Sequence, residues 1–342
     1  MQQQGTPLTE IGINGLITRI GEKTKLKHNT SISGFNDDAS ATFENGKYKL
    51  VSNVLFLEGV NFDLIYTPLK HLGYKAVVAA ISDILAMNGR PEQLSITLGL
   101  SSKMMLESVD ELMNGVLLAC TQYNIDLVDF RPGASFTGLS VSAVITGTAD
   151  ENSIVTRKNG KPTDLLCVSG DLGSALMGLY LLEREKRVLK ENDLVQPDFG
   201  NNDYILERQL KPEAKTYVID FLEEMKLIPS AMVNVKNGLS AALWDICLAS
   251  GTGCRIHETK IPLNQGTLKA AHEMNFNPLV AALNGGEDYE LLFTLPLKDY
   301  EKVINDFPEN INMIGYLTNP EDSCRLISNN NEEIDIKDIR NG

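Results

Sequence analysis

Apolar residues recur along the first half of the chain at spacings typical of regular elements. Three segments have apolar positions at helical spacing, residues 8–20, 68–87 and 104–123. Three others have the apolar content of strands, residues 48–57, 94–100 and 139–145. The first of these strands is apolar on both alternations, which predicts that both of its faces are covered. Strands and helices therefore alternate, and we predict an α/β (α+β) fold.

The second half continues this alternation after a polar stretch. Residues 150–162 are polar and contain the turn signal Asn159-Gly160, so we predict two domains, residues 1–149 and 150–342. Beyond this boundary the patterns predict strands at 165–169, 291–295 and 312–317 and helices at 174–189, 212–225, 238–250 and 297–306. Residues 190–212 are polar and predict a loop.

The composition is that of an ordinary globular protein with an acidic surface. The 342 residues are 43% hydrophobic and 22% charged, with a net charge of −14, and the length suits two domains. An acidic chain without a clustered basic face is a poor match for nucleic acid. A phosphorylated small molecule suits it, provided that metal ions or local basic groups offset the repulsion.

The sequence also bears on the compartment. No stretch has the apolar length of a membrane span, and residues 1–5 lack the basic and apolar pattern of a secretory signal. The five cysteines are scattered and form no C-x-x-C pair, which predicts buried free thiols in a reducing environment. We therefore expect a cytoplasmic protein that does not bind membranes.

Two adjacent carboxylates, Asp37 and Asp38, follow Asn36 in a short loop that begins at Gly34. Solvation at a turn, an Arg or Lys partner, or a bound Mg²⁺ would each relieve their repulsion. The residue types alone favour solvation. Asp83 lies among apolar residues late in a predicted helix, so its carboxylate should face a cleft or a polar partner.

Two further stretches combine glycines with acids. Gly170-Asp171-Leu172-Gly173 joins a predicted strand to a helix, and such a turn can hold an anion at the helix N-terminus, although a plain tight turn explains it equally well. In the second stretch Gly285-Gly286 is followed by three acids within four residues, at 287–290. That stretch predicts a loop held close to a ligand or to another part of the chain.

Six short motifs occur in order, and each is weak by itself: Asp37-Asp38-Ala39, Leu57-Glu58-Gly59-Val60, Leu72-Gly73-Tyr74-Lys75-Ala76, Ser82-Asp83-Ile84, Gly170-Asp171-Leu172-Gly173, and the segment from Asn284 to Phe293. Together they resemble the thiamine-monophosphate kinase family, part of the superfamily that includes aminoimidazole ribonucleotide synthetase. The resemblance runs from about residue 6 to about residue 318.

The resemblance implies an aminoimidazole ribonucleotide synthetase-like fold, with an N-terminal ATP-binding domain that closes an intersubunit β-barrel in a homodimer and a C-terminal α/β domain. It implies transfer of the γ-phosphoryl group of ATP to thiamine phosphate, with Mg²⁺ ions bridging the phosphates. The implied metal ligands are Asp37, Asp38 and Asp83, with Asn234 and Asn237 as weakened ones. Nucleotide or phosphate binding is implied for Gly170, Asp171, Gly173 and Arg131. Substrate binding is implied for Glu58, Asn61, Glu287, Asp288 and Tyr289.

The chain departs from the family at the metal positions. Where the family has aspartates, this sequence has Val54, Arg131, Asn234, Asn237 and Ala242. Valine and alanine cannot coordinate Mg²⁺, arginine repels it, and asparagine brings no negative charge. Five losses together predict weak or lost kinase activity. The alternative is a non-catalytic homologue that binds nucleotide or thiamine phosphate or regulates a partner.

The incoming positive charges suggest a replacement for the metal. We hypothesise that Arg131 reaches Asp37, Asp38 or Asp83 and stands in for the missing cation, and that Lys236 does the same from the second domain. An Arg131 that simply points to solvent is the alternative.

Overall fold

The computed structural model describes residues 5, 7–32, 34–35, 37–191 and 197–338. Asn36 of the acidic motif and residues 192–196 of the predicted loop lie outside these residues. The helices of the described part are α1 Gly12–Lys23, α2 Leu69–Leu85, α3 Leu106–Tyr123, α4 Ser174–Glu191, α5 Asp203–Leu210, α6 Thr216–Glu224, α7 Leu239–Ser250, α8 Gln265–Glu273, α9 Pro278–Asn284 and α10 Tyr300–Asp306. The strands are β1 Ser31–Ile32, β2 Ser40–Glu44, β3 Lys47–Leu57, β4 Arg90–Leu100, β5 Asp126–Ala134, β6 Ser140–Asp150, β7 Leu165–Ser169, β8 Ala231–Val235, β9 Gly253–His257, β10 Glu290–Leu295, β11 Ile311–Thr318, β12 Cys324–Ile327 and β13 Glu333–Asp335.

The strands form two sheets, which confirms a mixed α/β fold. The first sheet has six strands in the order β1-β2-β3-β6-β4-β5, and β4 and β5 are its one parallel pair. The second sheet has seven strands in the order β13-β12-β9-β11-β7-β10-β8. The chain passes from the first sheet to the second between Asp150 and Leu165.

Helix α2 lies between the two sheets and is buried over most of its length. It packs against β3, β4 and β6 on one side and contacts β8 and β10 on the other. Its neighbour α3 approaches closely because glycines face the contact: a Cβ on Gly73 or Gly115 would clash with the backbone of the other helix. This position explains why Asp83, near the end of α2, is only 3% exposed.

The outer face of the first sheet is apolar but uncovered in this chain. Along β3 the burial alternates, with Leu50 fully buried while Val51 and Leu55 are 39% and 57% exposed. The prediction that this strand is covered on both faces is therefore wrong for the single chain. Val128 of β5 and Val144 of β6 are also exposed, at 62% and 38%. The sheet thus presents an apolar face that nothing else in the described residues covers.

The central strands of the second sheet are covered on both faces. Every residue of β7, β8 and β10 is buried. Alternate residues enter two different cores, since Cys167 packs with the core that includes the first sheet and Val168 packs with the core under α7. The continuous apolar run at 165–168 follows from this two-sided cover.

The remaining predictions of secondary structure were mostly confirmed, with one wrong segment. Residues 203–210 form α5 although 190–212 was predicted to be a loop, because the apolar side chain of Ile205 docks on the core beside α4 and α8. Helix α8 was not predicted, and neither were seven strands, β1, β2, β5, β8, β9, β12 and β13. Among the described helices, none is both long and apolar enough to cross a membrane.

Candidate functional site

The acidic residues of the first half meet a positive residue of the second half at the junction of the two sheets. Asp37 and Asp38 lie just before β2, and Asp83 lies in the last turn of α2. Lys236 follows the last residue of β8. The Nζ of Lys236 lies 2.8 Å from Oδ1 of Asp83 and 3.2 Å from Oδ1 of Asp38. A single ammonium group therefore bridges two buried carboxylates.

A second cation, Arg157, holds Asp38 from the segment that links the two sheets. Its Nε donates to Oδ2 of Asp38 at 3.0 Å and an Nη donates to Oδ1 at 2.9 Å, a two-pronged pairing. The same guanidinium lies 3.2 Å from a carboxylate oxygen of Asp245 on α7. The Asp38 side chain is completely buried. Burial disfavours its charged form, but Arg157 and Lys236 outweigh burial and lower the pKa of Asp38.

The carboxylate of Asp83 is also saturated with donors. Ser52 Oγ donates to its Oδ2 at 2.9 Å, and Asn234 Nδ2 donates to its Oδ1 at 2.9 Å, beside the Lys236 contact. Burial raises the pKa of Asp83, and these donors work against that shift. The other amide atom of Asn234, Oδ1, is buried and has no hydrogen-bond partner in the described part of the chain.

Asp37 differs from its two neighbours because it forms no ion pair with a described residue. Its Oδ1 accepts a hydrogen bond from the backbone amide of Asp38 at 3.0 Å. Burial, and after it the charge of Asp38, raises the pKa of Asp37 to about 6. The carboxylate of Asp37 therefore takes up a proton at a pH closer to neutral than an ordinary aspartate does.

The structure does not place Arg131 as the sequence hypothesis required. Its side chain is 76% exposed on β5, and its Nε donates to Asp129 at 2.6 Å. The cations on the acidic cluster are Arg157 and Lys236 instead. Lys236 thus makes the contacts that the hypothesis required, whereas Arg131 pairs with Asp129. Asn237, predicted to be a weakened ligand, lies exposed in the turn after β8.

The glycine turn at 170–173 is closed by an internal carboxylate. Gly173 at the start of α4 donates its backbone amide to Oδ2 of Asp288 at 2.9 Å, and Asp288 is fully buried. Asp171 accepts hydrogen bonds from the hydroxyls of Ser174 and Tyr204. An amide predicted to bind phosphate thus binds Asp288, which favours the tight-turn interpretation for Gly170 and Gly173.

Two of the predicted substrate residues line one cavity, which lies between the loop after β3 and helix α4. Asn61 and Glu287 border a cavity of about 400 Å³, and the other charged groups in its lining are Asp63, Glu183 and Lys186. Tyr66 also contributes to the wall. Lys186 pairs with Asp63 at 2.6 Å and with Glu183 at 3.2 Å, and Lys75 pairs with Glu287 at 2.6 Å. Two ammonium groups therefore offset three carboxylates, which leaves the cavity with an excess of one negative charge.

The loop that carries Glu287 is tied to both halves of the chain. Lys75 of α2 donates to Glu287 Oε2 at 2.6 Å, and the Glu287 amide donates to the carbonyl of Lys236 at 2.9 Å. Glu287 and Tyr289 have φ values of 65° and 50°, a strained left-handed conformation for residues other than glycine. Tyr289 itself is buried and packs in the core between the halves. The Oε2 of Glu58, also a predicted substrate residue, accepts a hydrogen bond from the amide of Leu139 at 2.7 Å.

The cluster of aspartates does not fit a bridging Mg²⁺ ion. Such an ion needs carboxylate oxygens at about 2.0–2.1 Å, and the Lys236 ammonium lies between the oxygens of Asp38 and Asp83 that would supply them. Within the described residues, one group of at least three His, Cys, Asp or Glu side chains brings its ligand atoms within 4.8 Å of one another, and it consists of Cys247, Cys254 and Cys324. The three aspartates are not such a group.

The cysteine group is a packing cluster of the second core. The five cysteines, including Cys120 and Cys167, are free and buried, which confirms the prediction from the sequence. Hydrogen bonds with its two neighbours, and then burial, raise the pKa of Cys254. Hydrogen bonds with Cys254 and Cys324 lower the pKa of Cys247 to about 4. A buried thiol that stays protonated, as that of Cys254 does, packs as a small apolar side chain.

Sequence reasoning missed Arg157, the cation that is most deeply involved in the site. It lies two residues after Val155, a buried residue in a segment predicted only as a polar linker. A buried apolar residue at that place is a weak signal that the linker packs against the core. No spacing rule connects position 157 to Asp38.

The comparisons with known proteins agree with this fold. Residues 36–148 match the family model of AIR synthase related protein, N-terminal domain. The chain is 30% identical over 289 residues to the thiamine-monophosphate kinase of Aquifex aeolicus, covering 84% of this chain and 87% of that one. It is 30% identical over 325 residues to that of Buchnera aphidicola subsp. Schizaphis graminum, covering 92% and 93%. A solved structure of AaThiL complexed with AMPPCP and TMP aligns with a TM-score of 0.82 and 25% identity over 97% of both chains.

The two-sheet fold includes, at residues 36–148, a domain similar to the N-terminal domain of AIR synthase related proteins. The two thiamine-monophosphate kinases, which match this chain over most of its length, identify the family more narrowly. The chain belongs to the thiamine-monophosphate kinase family, as its motifs predicted.

Proposed function

We propose that this protein catalyses the ATP-dependent phosphorylation of thiamine phosphate to thiamine diphosphate. The observation that carries the proposal is the match over 97% of both chains to AaThiL complexed with AMPPCP and TMP. AMPPCP has the shape of ATP, so that complex pairs a stand-in for a phosphoryl donor with an acceptor. In the reaction a phosphate oxygen of the acceptor forms a bond to the γ-phosphorus while the bond to the β-phosphate oxygen breaks, releasing ADP.

The acidic cavity suits the acceptor. Thiamine carries a cationic thiazolium ring, and the cavity walls carry the carboxylates of Asp63, Glu183 and Glu287. Gly286 lines the same cavity, and the Glu287 amide is bonded to the carbonyl of Lys236. The phosphate end of the acceptor would then point toward the Lys236 ammonium, which is 35% exposed. Asn61 and Glu287 are the sequence-predicted substrate residues that this arrangement uses.

The polyphosphate of ATP would approach the same ammonium from the first sheet. Transfer between two anions requires positive charge, and Lys236 supplies it at the junction. Asp38 and Asp83 are already paired with protein cations, so we assign them no metal. Gly170, Asp171, Gly173 and Arg131 remain predicted phosphate-binding residues.

We further propose that the protein works as a homodimer. The first sheet leaves Leu55, Val128 and Val144 exposed on one face, and apolar patches of this kind are typical of interfaces. Pairing of two such sheets would cover them and would produce the β-barrel that the family resemblance implies.

The five free cysteines suit a reducing cytoplasm.

The proposal is tested by incubating the purified protein with ATP and thiamine phosphate and measuring thiamine diphosphate. We expect product, and we expect Glu287→Gln to weaken binding of thiamine phosphate about tenfold by removing a carboxylate that faces the thiazolium. Glu301→Gln, on the exposed surface of α10, is the matched control. Binding of both ligands without product would overturn the kinase activity and leave the binding-only homologue. Binding of neither ligand would overturn both functions.

A further inference from the structure

We propose that Lys236 and Arg157 are permanent counter-charges that replace a divalent cation between the two sheets, so that this site assembles without metal. The inference rests on the proposed function only for the identity of the ligand that meets Lys236. The contacts of Lys236 and Arg157 with Asp38 and Asp83 are made within this chain and need no ligand.

The first support is the position of the Lys236 ammonium. Nζ is within 3.2 Å of oxygens from both Asp38 and Asp83, and those acids belong to different elements of the first half. A divalent cation that bridged the two acids would have to occupy the same space. Since two cations cannot share it, metal binding at this point requires Lys236 to leave.

The second support is that Arg157 uses both oxygens of Asp38. The guanidinium fork takes Oδ1 and Oδ2, and the Arg157 side chain is only 9% exposed. A buried fork of this kind is geometrically specific and does not detach without leaving two unpaired charges. Arg157 is further fixed on its other side by Asp245. Asp38 is therefore not available as a metal ligand.

The third support is the surroundings of Asp83, which are already complete. Ser52 donates to Oδ2 and Asn234 donates to Oδ1. A metal ion bound to these oxygens would displace both donors and leave them without an acceptor. The unpaired Oδ1 of Asn234 is buried nearby and is the one acceptor of this group that a cation would satisfy. One amide oxygen is too weak a ligand to hold a divalent cation when both carboxylates, Asp38 and Asp83, are paired with protein cations.

The consequence is a site whose exposed positive group is an ammonium. With 35% of its side chain accessible, Lys236 can donate to a phosphate oxygen while it stays bonded to Asp83. The site would thus recognise an anionic phosphate group directly, with a protein cation doing what an ion would do. Its geometry would be the same in the presence and absence of divalent metal.

The first test measures metal binding by the full-length protein without nucleotide or thiamine phosphate. Mn²⁺ is added to EDTA-treated protein, and free Mn²⁺ is followed by electron paramagnetic resonance. We expect no site tighter than about 1 mM, and no change in melting temperature beyond about 1 °C between EDTA and about 10 mM MgCl₂. A Mn²⁺ site tighter than about 0.1 mM that disappears in Asp83→Asn would overturn the proposal.

The second test removes the internal cation. In the Asn234→Asp, Lys236→Ser double variant the ammonium is gone and a third carboxylate stands beside Asp83. We expect at least about tenfold tighter Mn²⁺ binding and a melting temperature that rises by several degrees with MgCl₂. Lys47→Ser, which removes an exposed lysine paired with Asp150, is the control and should gain neither. A folded double variant that gains no Mn²⁺ binding would show that Lys236 is not what excludes the metal.

Mn²⁺ binding and melting temperature are measured independently of kinase activity. No thiamine phosphate or ATP is present, so a protein that forms no thiamine diphosphate still supports or contradicts the replacement of the metal. If the double variant does not fold, the wild-type and Asp83→Asn measurements decide the question.

Discussion

Lys236 Nζ lies 2.8 Å from Oδ1 of Asp83, and this contact joins the end of β8 to the last turn of α2. It ties the second sheet to a helix that packs against the first. The same ammonium also contacts Asp38, so a single side chain neutralises acids from two separate parts of the chain. The contact is therefore both a clamp between the halves and the main positive feature of the site.

Replacement of Lys236 by Met should destabilise the protein by about 2 kcal/mol, because two buried carboxylates lose a partner and the side chain is partly exposed. Chemical unfolding in urea at neutral pH measures the effect. Lys47→Met, at an exposed pair with Asp150, should change stability by no more than about 0.5 kcal/mol. An equally small loss in Lys236→Met would mean that Asp83 is neutralised by a proton rather than by Lys236.

Replacement of Arg157 by Lys should cost about 2–4 kcal/mol although the charge is kept. A lysine cannot bind both oxygens of Asp38 and reach Asp245 with a planar fork. Arg131→Lys is the matched control, since Arg131 is exposed and pairs only locally with Asp129, and its stability should be that of the wild type. Thermal and urea unfolding compare the two. Equal losses would contradict the different surroundings of the two arginines.

Asp37 should make stability depend on pH in the neutral range. Its pKa in the folded protein is about 6, above the ordinary value of 3.8. Because the folded state holds the proton more tightly, this group favours folding at low pH and loses that contribution as the pH rises through about 6. Asp37→Asn, which stays neutral, should therefore match the wild type near about pH 4 and exceed it by about 1–2 kcal/mol near about pH 8.

Urea unfolding across that pH range measures the difference for Asp37→Asn. Asp110→Asn, on the exposed surface of α3, is the control for the general effect of removing a carboxylate. A gain for Asp37→Asn that is the same at every pH would contradict the raised pKa.

The apolar outer face of the first sheet predicts a change of assembly in one double variant. Leu55→Glu with Val128→Glu places two charges on a face where these residues are 57% and 62% exposed in the single chain. We expect sedimentation velocity to show a dimer for the wild type and a monomer for the variant, since buried charges in an interface are costly. Leu248→Glu, 65% exposed on α7, is the control and should remain dimeric. A wild-type monomer would remove the dimer proposal.

Much of the secondary structure can be predicted from local patterns of apolar residues along the chain. Long segments with helical spacing, such as 68–87 and 104–123, became α2 and α3 because an apolar stripe needs only near neighbours to be visible. Short elements were missed where the pattern was brief, as in α5, whose Ile205 is buried by α4 and α8 rather than by its own sequence neighbours. The cover on both faces of β3 was mispredicted because apolar content does not say whether a face meets a core or a second chain.

The candidate site shows the same division. The residue types and order of the acid and glycine motifs were enough to predict the family, and the replaced ligands were enough to predict a missing metal charge. Which cation fills the gap was decided only by the tertiary structure. Arg157 lies 119 residues from Asp38, and Lys236 lies 153 residues from Asp83. Pairings at such separations depend on how α2, β8 and the linker between the sheets pack in space, and no periodicity along a chain records that.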